Sequence, residues 1–111
     1  MPTRPPGHAW LLVRVRGRSM SPALRDGDLL LARAAATVHP GDVVVADLPG
    51  GRGRGVKRVL RRDGDGWWLE RDNPTAGSDS WLFGAVPGDA VLGVVRARLW
   101  PRPGRVPARV R

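Results

Sequence analysis

The chain has 111 residues, 19 basic and 10 acidic side chains, a formal net charge of +9 at pH 7 and no cysteine. That length holds one domain with a modest core. The lack of cysteine excludes disulfides and thiolate chemistry, and two histidines far apart, His8 and His39, give no metal-ligand spacing, so neither metal nor other cofactor is expected.

Residues 1–8, interrupted by Pro5 and Pro6, read as a flexible leader and not as a secretory signal. Fifteen glycines and eleven prolines argue for short strands joined by turns. Strands are predicted near residues 9–16, 28–34, 42–48, 55–62, 66–71 and 89–99, within one domain covering 9–100. In the last of these, Val91, Gly93, Val95, Ala97 and Leu99 fall on one side. Turns are marked by Asp26–Gly27, Pro40–Gly41, Gly50–Gly51, Asp63–Gly64 and Pro87–Gly88, and the Asp63–Gly64 turn reads as a hairpin. Ser21–Leu24 reads as a single helical turn with Pro22 at its start. The fold class is therefore mainly β, with at most one short helical turn. The longest apolar runs, Trp10–Val13, Leu29–Ala32 and Val43–Ala46, are too short to cross a bilayer, so a soluble, cytoplasmic chain is expected. Residues 101–111 form an arginine- and proline-rich tail that reads as solvated and poorly ordered.

Two positions carry chemistry. Ser19 lies where the chain must bend between a glycine, Gly17, and Pro22, so its hydroxyl projects from a strand end beside unused backbone N–H groups. Taken alone, such a bend between strands is mostly turn chemistry, and the catalytic reading gains ground from Lys57. Lys57 is the one lysine among 19 basic residues. Arginine cannot give up its proton near neutral pH, whereas a buried lysine can, so a position that must act as a base would keep lysine. On a strand, Gly55, Lys57 and Val59 face one way and Val56, Arg58 and Leu60 the other. Lys57 is then either an exposed edge-strand charge that deters aggregation or a desolvated amine near Ser19. Arg58 would help depress the Lys57 pKa if its charge were close. Trp67 and Trp68 occupy opposite faces of one strand, one in the core and the other a candidate cleft wall.

These residues resemble the bacterial type I signal peptidases and their relatives, serine proteases that use a Ser/Lys dyad. Gly17-Arg-Ser19-Met20-Ser-Pro22-Ala-Leu24 with Gly27-Asp28 resembles the nucleophile box, and Gly41-Asp42-Val43-Val44-Val45 the second box. Lys57-Arg58-Val59-Leu60 with Gly64-Asp65 resembles the general-base box. Asp72-Asn73 through Asp79-Ser80, then Phe83-Gly84 and Val86-Pro87, is similar to the last. The resemblance implies a small signal-peptidase-like catalytic β core without an inserted subdomain. It also implies a nucleophile at Ser19, a base at Lys57, and support from Arg58, Asn73, Ser78, Asp79 and Ser80. Gly17 and Met20 would then lie at the oxyanion site and substrate cleft. The minimal loops and the Asp-Asn-Pro of the last box look most like the nickel-type superoxide dismutase maturation proteases. Two departures stand out. A serine that often supports the lysine falls on Gly77, with Ser78 one place along. The arginine expected after Asp-Ser is Trp81, leaving Asp79 with backbone N–H groups or Arg71 as alternatives.

The function read from this is a serine endopeptidase that binds a precursor protein as an extended strand and removes its leader. A peptide-binding module with a weakened site is the second reading. A nucleic-acid protein, suggested by the charge, is the third, and no specific nucleic-acid partner is expected.

Overall fold

Alternating β-branched and aliphatic residues dictate a pleated architecture, and the computed structural model, which describes residues 9–109, consists of one seven-stranded sheet. Its strands are β1 (Trp10–Arg14), β2 (Leu29–Ala34), β3 (Val43–Leu48), β4 (Gly53–Asp63), β5 (Gly66–Glu70), β6 (Val86–Pro87) and β7 (Val91–Trp100). Their order across the sheet is β1-β2-β7-β3-β4-β5-β6, and every neighbouring pair is antiparallel. The leader assigned to residues 1–8 lies outside the described residues. No helix among the described residues is long and apolar enough to cross a membrane.

The central strands are buried on both faces, which explains why β3 reads as a continuous apolar run. Val43 and Val45 join Met20, Leu24, Leu30 and Leu92 in one cluster. Val44 and Ala46 join Val59, Leu69 and Val86 in the other. A bulge in β7 sets Val45 opposite Gly93 but Ala46 opposite Val91, leaving Leu92 as the extra residue. Val91 and Val94 consequently share one cluster while Leu92 and Val95 share the other. This corrects the simple alternation expected over Val91–Leu99.

The short helix is not where the sequence pointed. Ser21–Leu24 is a hydrogen-bonded turn closed by Leu24 N–H donating to Met20 O at 2.9 Å, and the Ser21–Pro22 peptide is cis. The helical turn, α1, spans Ser80–Phe83, where Asp79 Oδ1 accepts the Trp81 N–H and Gly84 closes the end at φ 83°. The tail also differs from expectation: residues 101–109 are tied to the domain. Arg98 and Gly104 exchange both backbone hydrogen bonds, and the Arg98 guanidinium donates to Ala23 O at 3.1 Å. Arg109 donates to Asp72 Oδ1 at 3.0 Å.

The edges of this sheet position the site. β1 pairs only with β2, and β4 pairs with β5 only from Arg58 onward. Both free stretches, β1 and Gly55–Lys57 of β4, line one cleft.

Candidate active site

Ser19 sits on the turn that follows β1. Val15 N–H donates to Asp28 O and Gly27 N–H to Val15 O, both at 2.8 Å, and close the base of this loop. Gly17 N–H donates to Asp26 Oδ1 at 2.7 Å. Met20 and Leu24, at 1% and 0% exposure, anchor the turn in the core, so Ser19 is held from below. Asn73 holds it from the side: its backbone N–H donates to Ser19 O at 2.8 Å and its Nδ2 to Arg18 O at 3.0 Å. No acceptor among the described residues takes the Ser19 N–H.

Lys57 lies on β4 opposite Val44 of β3 and is only 5% exposed, which removes the reading of a solvated edge charge. Its Nζ donates to Ser19 Oγ at 3.0 Å. Gly55, on the same face of β4, makes room for Leu48: a Cβ there would lie 2.7 Å from Leu48 Cδ1, and only in ordinary contact, 3.9 Å, with Lys57 Cε. Burial holds the Lys57 pKa below the ordinary lysine value; Asp79 opposes that effect and Arg71 adds to it.

The expected part for Arg58 is filled by Arg71 instead. The pleat turns Arg58 to the other face, where its guanidinium holds Asp72 at 3.1 and 2.8 Å and donates to Gly41 O and Pro107 O. Arg109 joins the same buried network through Asp72 and Glu70. Arg71 crosses the loop beside Lys57, donating to Gly77 O and to Ala76 O, and its Nε lies 3.7 Å from Asp79 Oδ2. Asp79 uses both alternatives left open to it, since it also accepts the Arg71 and Trp81 N–H groups at 3.1 Å.

The remaining candidates sort by position. Gly77 packs directly on the pair: a Cβ there would lie 2.8 Å from Ser19 Cβ and 3.7 Å from Lys57 Nζ. Ser78 lines the cleft, but no hydrogen bond among the described residues joins it to Lys57. Ser80 is buried beneath the loop, its Oγ accepting the Leu69 N–H at 2.9 Å. Gly17 lines the cleft with open space where a side chain would be, and Met20 is at once cleft floor and core. Neither Trp67 nor Trp68 reaches the cleft: Trp67 packs on the second cluster, and Trp68 stacks edge-on against Trp81. Sequence reasoning missed Arg109 altogether, because an arginine in a proline-rich tail carries no local signal of a buried carboxylate partner.

The cleft measures about 910 Å³ and runs from Trp10 along β1 to Ser19 on one side and from Arg52 to Lys57 on the other. At its head a desolvated amine touches the Ser19 hydroxyl, beside a backbone N–H that no described residue engages, the elements of acyl transfer with an amine as base. A β domain with this cleft and this pair has the layout of a peptidase-like domain.

Comparison with known proteins agrees. Residues 3–82 match the peptidase S24-like family, and the chain belongs to it. It is 31% identical over 110 residues to the mitochondrial inner membrane protease subunit 1 of Xenopus tropicalis, covering 77% of this chain and 66% of that protein. It is 40% identical over 63 residues to signal peptidase I of Streptococcus pneumoniae, covering 57% of this chain and 31% of that one. It is also 44% identical over 63 residues to the LexA repressor of Marinobacter nauticus, with 56% and 30% covered. The chain thus spans just under two thirds of the mitochondrial relative and about a third of the other two.

Proposed function

We propose that this chain is a serine endopeptidase in which Ser19 and Lys57 form the catalytic dyad. The observation that carries the reading is the 3.0 Å contact between Ser19 Oγ and the buried Lys57 amine at the head of the cleft. Substrate enters as an extended strand between the free edges of β1 and β4, whose unpaired backbone groups can pair with it on both sides. Neutral Lys57 takes the hydroxyl proton as Ser19 Oγ bonds to the scissile carbonyl carbon. The Ser19 N–H faces the developing oxyanion. Lys57 then gives the proton to the leaving amine as the C–N bond breaks. Water, deprotonated by Lys57, releases the acyl group and restores the hydroxyl.

The substrate proposed is a precursor protein whose N-terminal leader is removed, with nickel-type superoxide dismutase as the particular precursor. The Asp72-Asn73-Pro74 sequence and the short loops between boxes support this choice. The test is incubation of that precursor with the chain and mass spectrometry of the products. Cleavage at the leader junction, lost in Ser19→Ala and in Lys57→Arg, is the expected result. A Lys57→Arg protein with wild-type turnover removes the general-base assignment. An intact precursor beside cleavage of other leaders removes the substrate assignment alone.

A further inference from the structure

The charge of the cleft is one-sided. Arg14, Arg16, Arg18, Arg52 and Arg54 line it together with Lys57, and none of the chain's 10 acidic residues does. Acids do stand close by, at the margin of the cleft and not in its lining. Asp26 accepts the Gly17 N–H, and Asp79 caps α1 and meets Arg71. Among the described residues only Asp47 reaches a lining arginine, Arg54, at 3.4 Å, and both side chains of that pair are exposed.

Of the other lining arginines, Arg14 and Arg52 are held, without being neutralised, by partners outside the cleft lining. Arg14 donates to Gly27 O at 2.8 Å and stacks over Trp100, its centre 5.8 Å from the ring centroid. Arg52 donates to Pro49 O at 2.8 Å and stacks over Phe83 at 5.0 Å. Arg16 and Arg18 flank Gly17, are exposed, and meet no carboxylate among the described residues. Positive charge therefore stands at both ends of the cleft, beside Ser19 and at the entrance to β4. Three residues of strand, roughly 10 Å, separate Arg54 from Lys57.

We infer that the cleft selects an extended peptide bearing carboxylate side chains. One carboxylate lies next to the scissile bond, facing Arg16 and Arg18. Another lies about three residues away, toward Arg52 and Arg54. This deepens the peptidase reading and rests on it for the position of the scissile bond. A peptide fits better than a phosphodiester chain, because half-buried Leu11, Val13, Leu48 and Val56 and two free strand edges line the same space.

The experiment uses the full chain carrying Ser19→Ala and fluorescent peptides with Asp or Asn at those two positions, read by anisotropy. Each carboxylate is expected to tighten binding by roughly two- to fivefold, as for exposed ion pairs. That advantage should shrink when salt is raised from about 20 to about 300 mM. Arg16→Gln with Arg18→Gln should bring the ratio at the scissile side toward one, and Arg52→Gln with Arg54→Gln the ratio at the far side. Equal affinity for Asp and Asn peptides overturns the inference, as does an absence of saturable binding. So does displacement of the peptide by a single-stranded oligonucleotide of equal charge at lower concentration. Parallel cleavage assays with the unmutated chain separate the two claims. Acidic preference in binding without cleavage keeps the charge selection and removes the peptidase, whereas cleavage indifferent to charge does the reverse.

Discussion

Replacing Gly77 by serine restores the residue that the resemblance places there, yet the geometry says it will damage the site. Gly77 has φ 74°, and a side chain in that left-handed region costs about 1–2 kcal/mol. Its Cβ would stand 2.8 Å from Ser19 Cβ, where ordinary contact begins near 3.4 Å, so one wall must retreat by roughly 0.6 Å. Neither wall yields easily. Arg71 clamps the Gly77 carbonyl, while Met20 and Asn73 hold the Ser19 turn. The 3.0 Å contact to Lys57 is what gives way. A displacement approaching 1 Å costs on the order of 100-fold in rate. Labelling of Ser19 by a serine-directed acylating reagent should therefore slow by that order in both Gly77→Ser and Gly77→Ala. The melting temperature should fall by about 4–8 °C for each kcal/mol lost. If Gly77→Ser labels as fast as the unmutated chain, the packing argument is wrong and the hydroxyl is accommodated beside Lys57.

Three further outcomes follow from the same geometry. Because burial depresses the Lys57 pKa, labelling should rise with pH and level off below the ordinary lysine value of 10.5; a midpoint at that value contradicts the desolvated amine. Asp72 is held below the ordinary carboxylate range: burial alone would raise its pKa, but the hydrogen bonds and charges of Arg58 and Arg109 outweigh that. Its contribution to stability is thus complete above about pH 4 and fades as pH falls through the lower folded-state value. Asp72→Asn should cost about 3–5 kcal/mol in denaturant unfolding at neutral pH, because it strands buried guanidinium groups, and a loss under about 1 kcal/mol would dismiss the network. Asn73→Ala removes the Nδ2 hydrogen bond to Arg18 O; a loss of about 1 kcal/mol with slower Ser19 labelling is expected, and unchanged labelling would show the turn to be held without it.

The pattern of the strands was legible because their residues obey a period of two, and six strands occupy the predicted stretches. What escaped was set by tertiary pairing. β6 has two residues and exists only as a partner for Gly66 and Trp67. The Leu92 bulge reverses the inward side midway along β7, and its one local mark, Gly93 beside it, does not say where the register shifts. The helical turn forms at Ser80–Phe83 because Asp79 caps it, a signal that Asp79-Ser80 carries locally but shares with the motif it belongs to. At the site, the sequence indicated Ser19, Lys57 and Asn73. Arg71 was legible only as a possible partner of Asp79, since its contacts to the Gly77 and Ala76 carbonyls depend on how the loop folds.

Adjacent positions 57 and 58 set the one lysine among 19 basic residues beside an arginine with a different task. The pleat sends the two side chains to opposite faces, and each face asks for a different cation. Position 58 must hold Asp72 with two parallel N–H groups while also reaching Gly41 O and Pro107 O, a task for a planar, permanently charged fork. Under the proposed dyad, position 57 needs a compact group that can be neutral against Ser19, which arginine cannot supply. The exchange Lys57→Arg with Arg58→Lys leaves composition and net charge untouched and should fail on both faces. Loss of the charge-assisted hydrogen bonds at 58 should lower stability by about 1.5–3 kcal/mol, measured in denaturant. The arginine at 57 should remove Ser19 labelling at every pH. Restoring Lys57 alone should recover the labelling but not the stability. An exchanged protein that labels Ser19 at the original rate would mean that the amine beside the hydroxyl serves only to fill space.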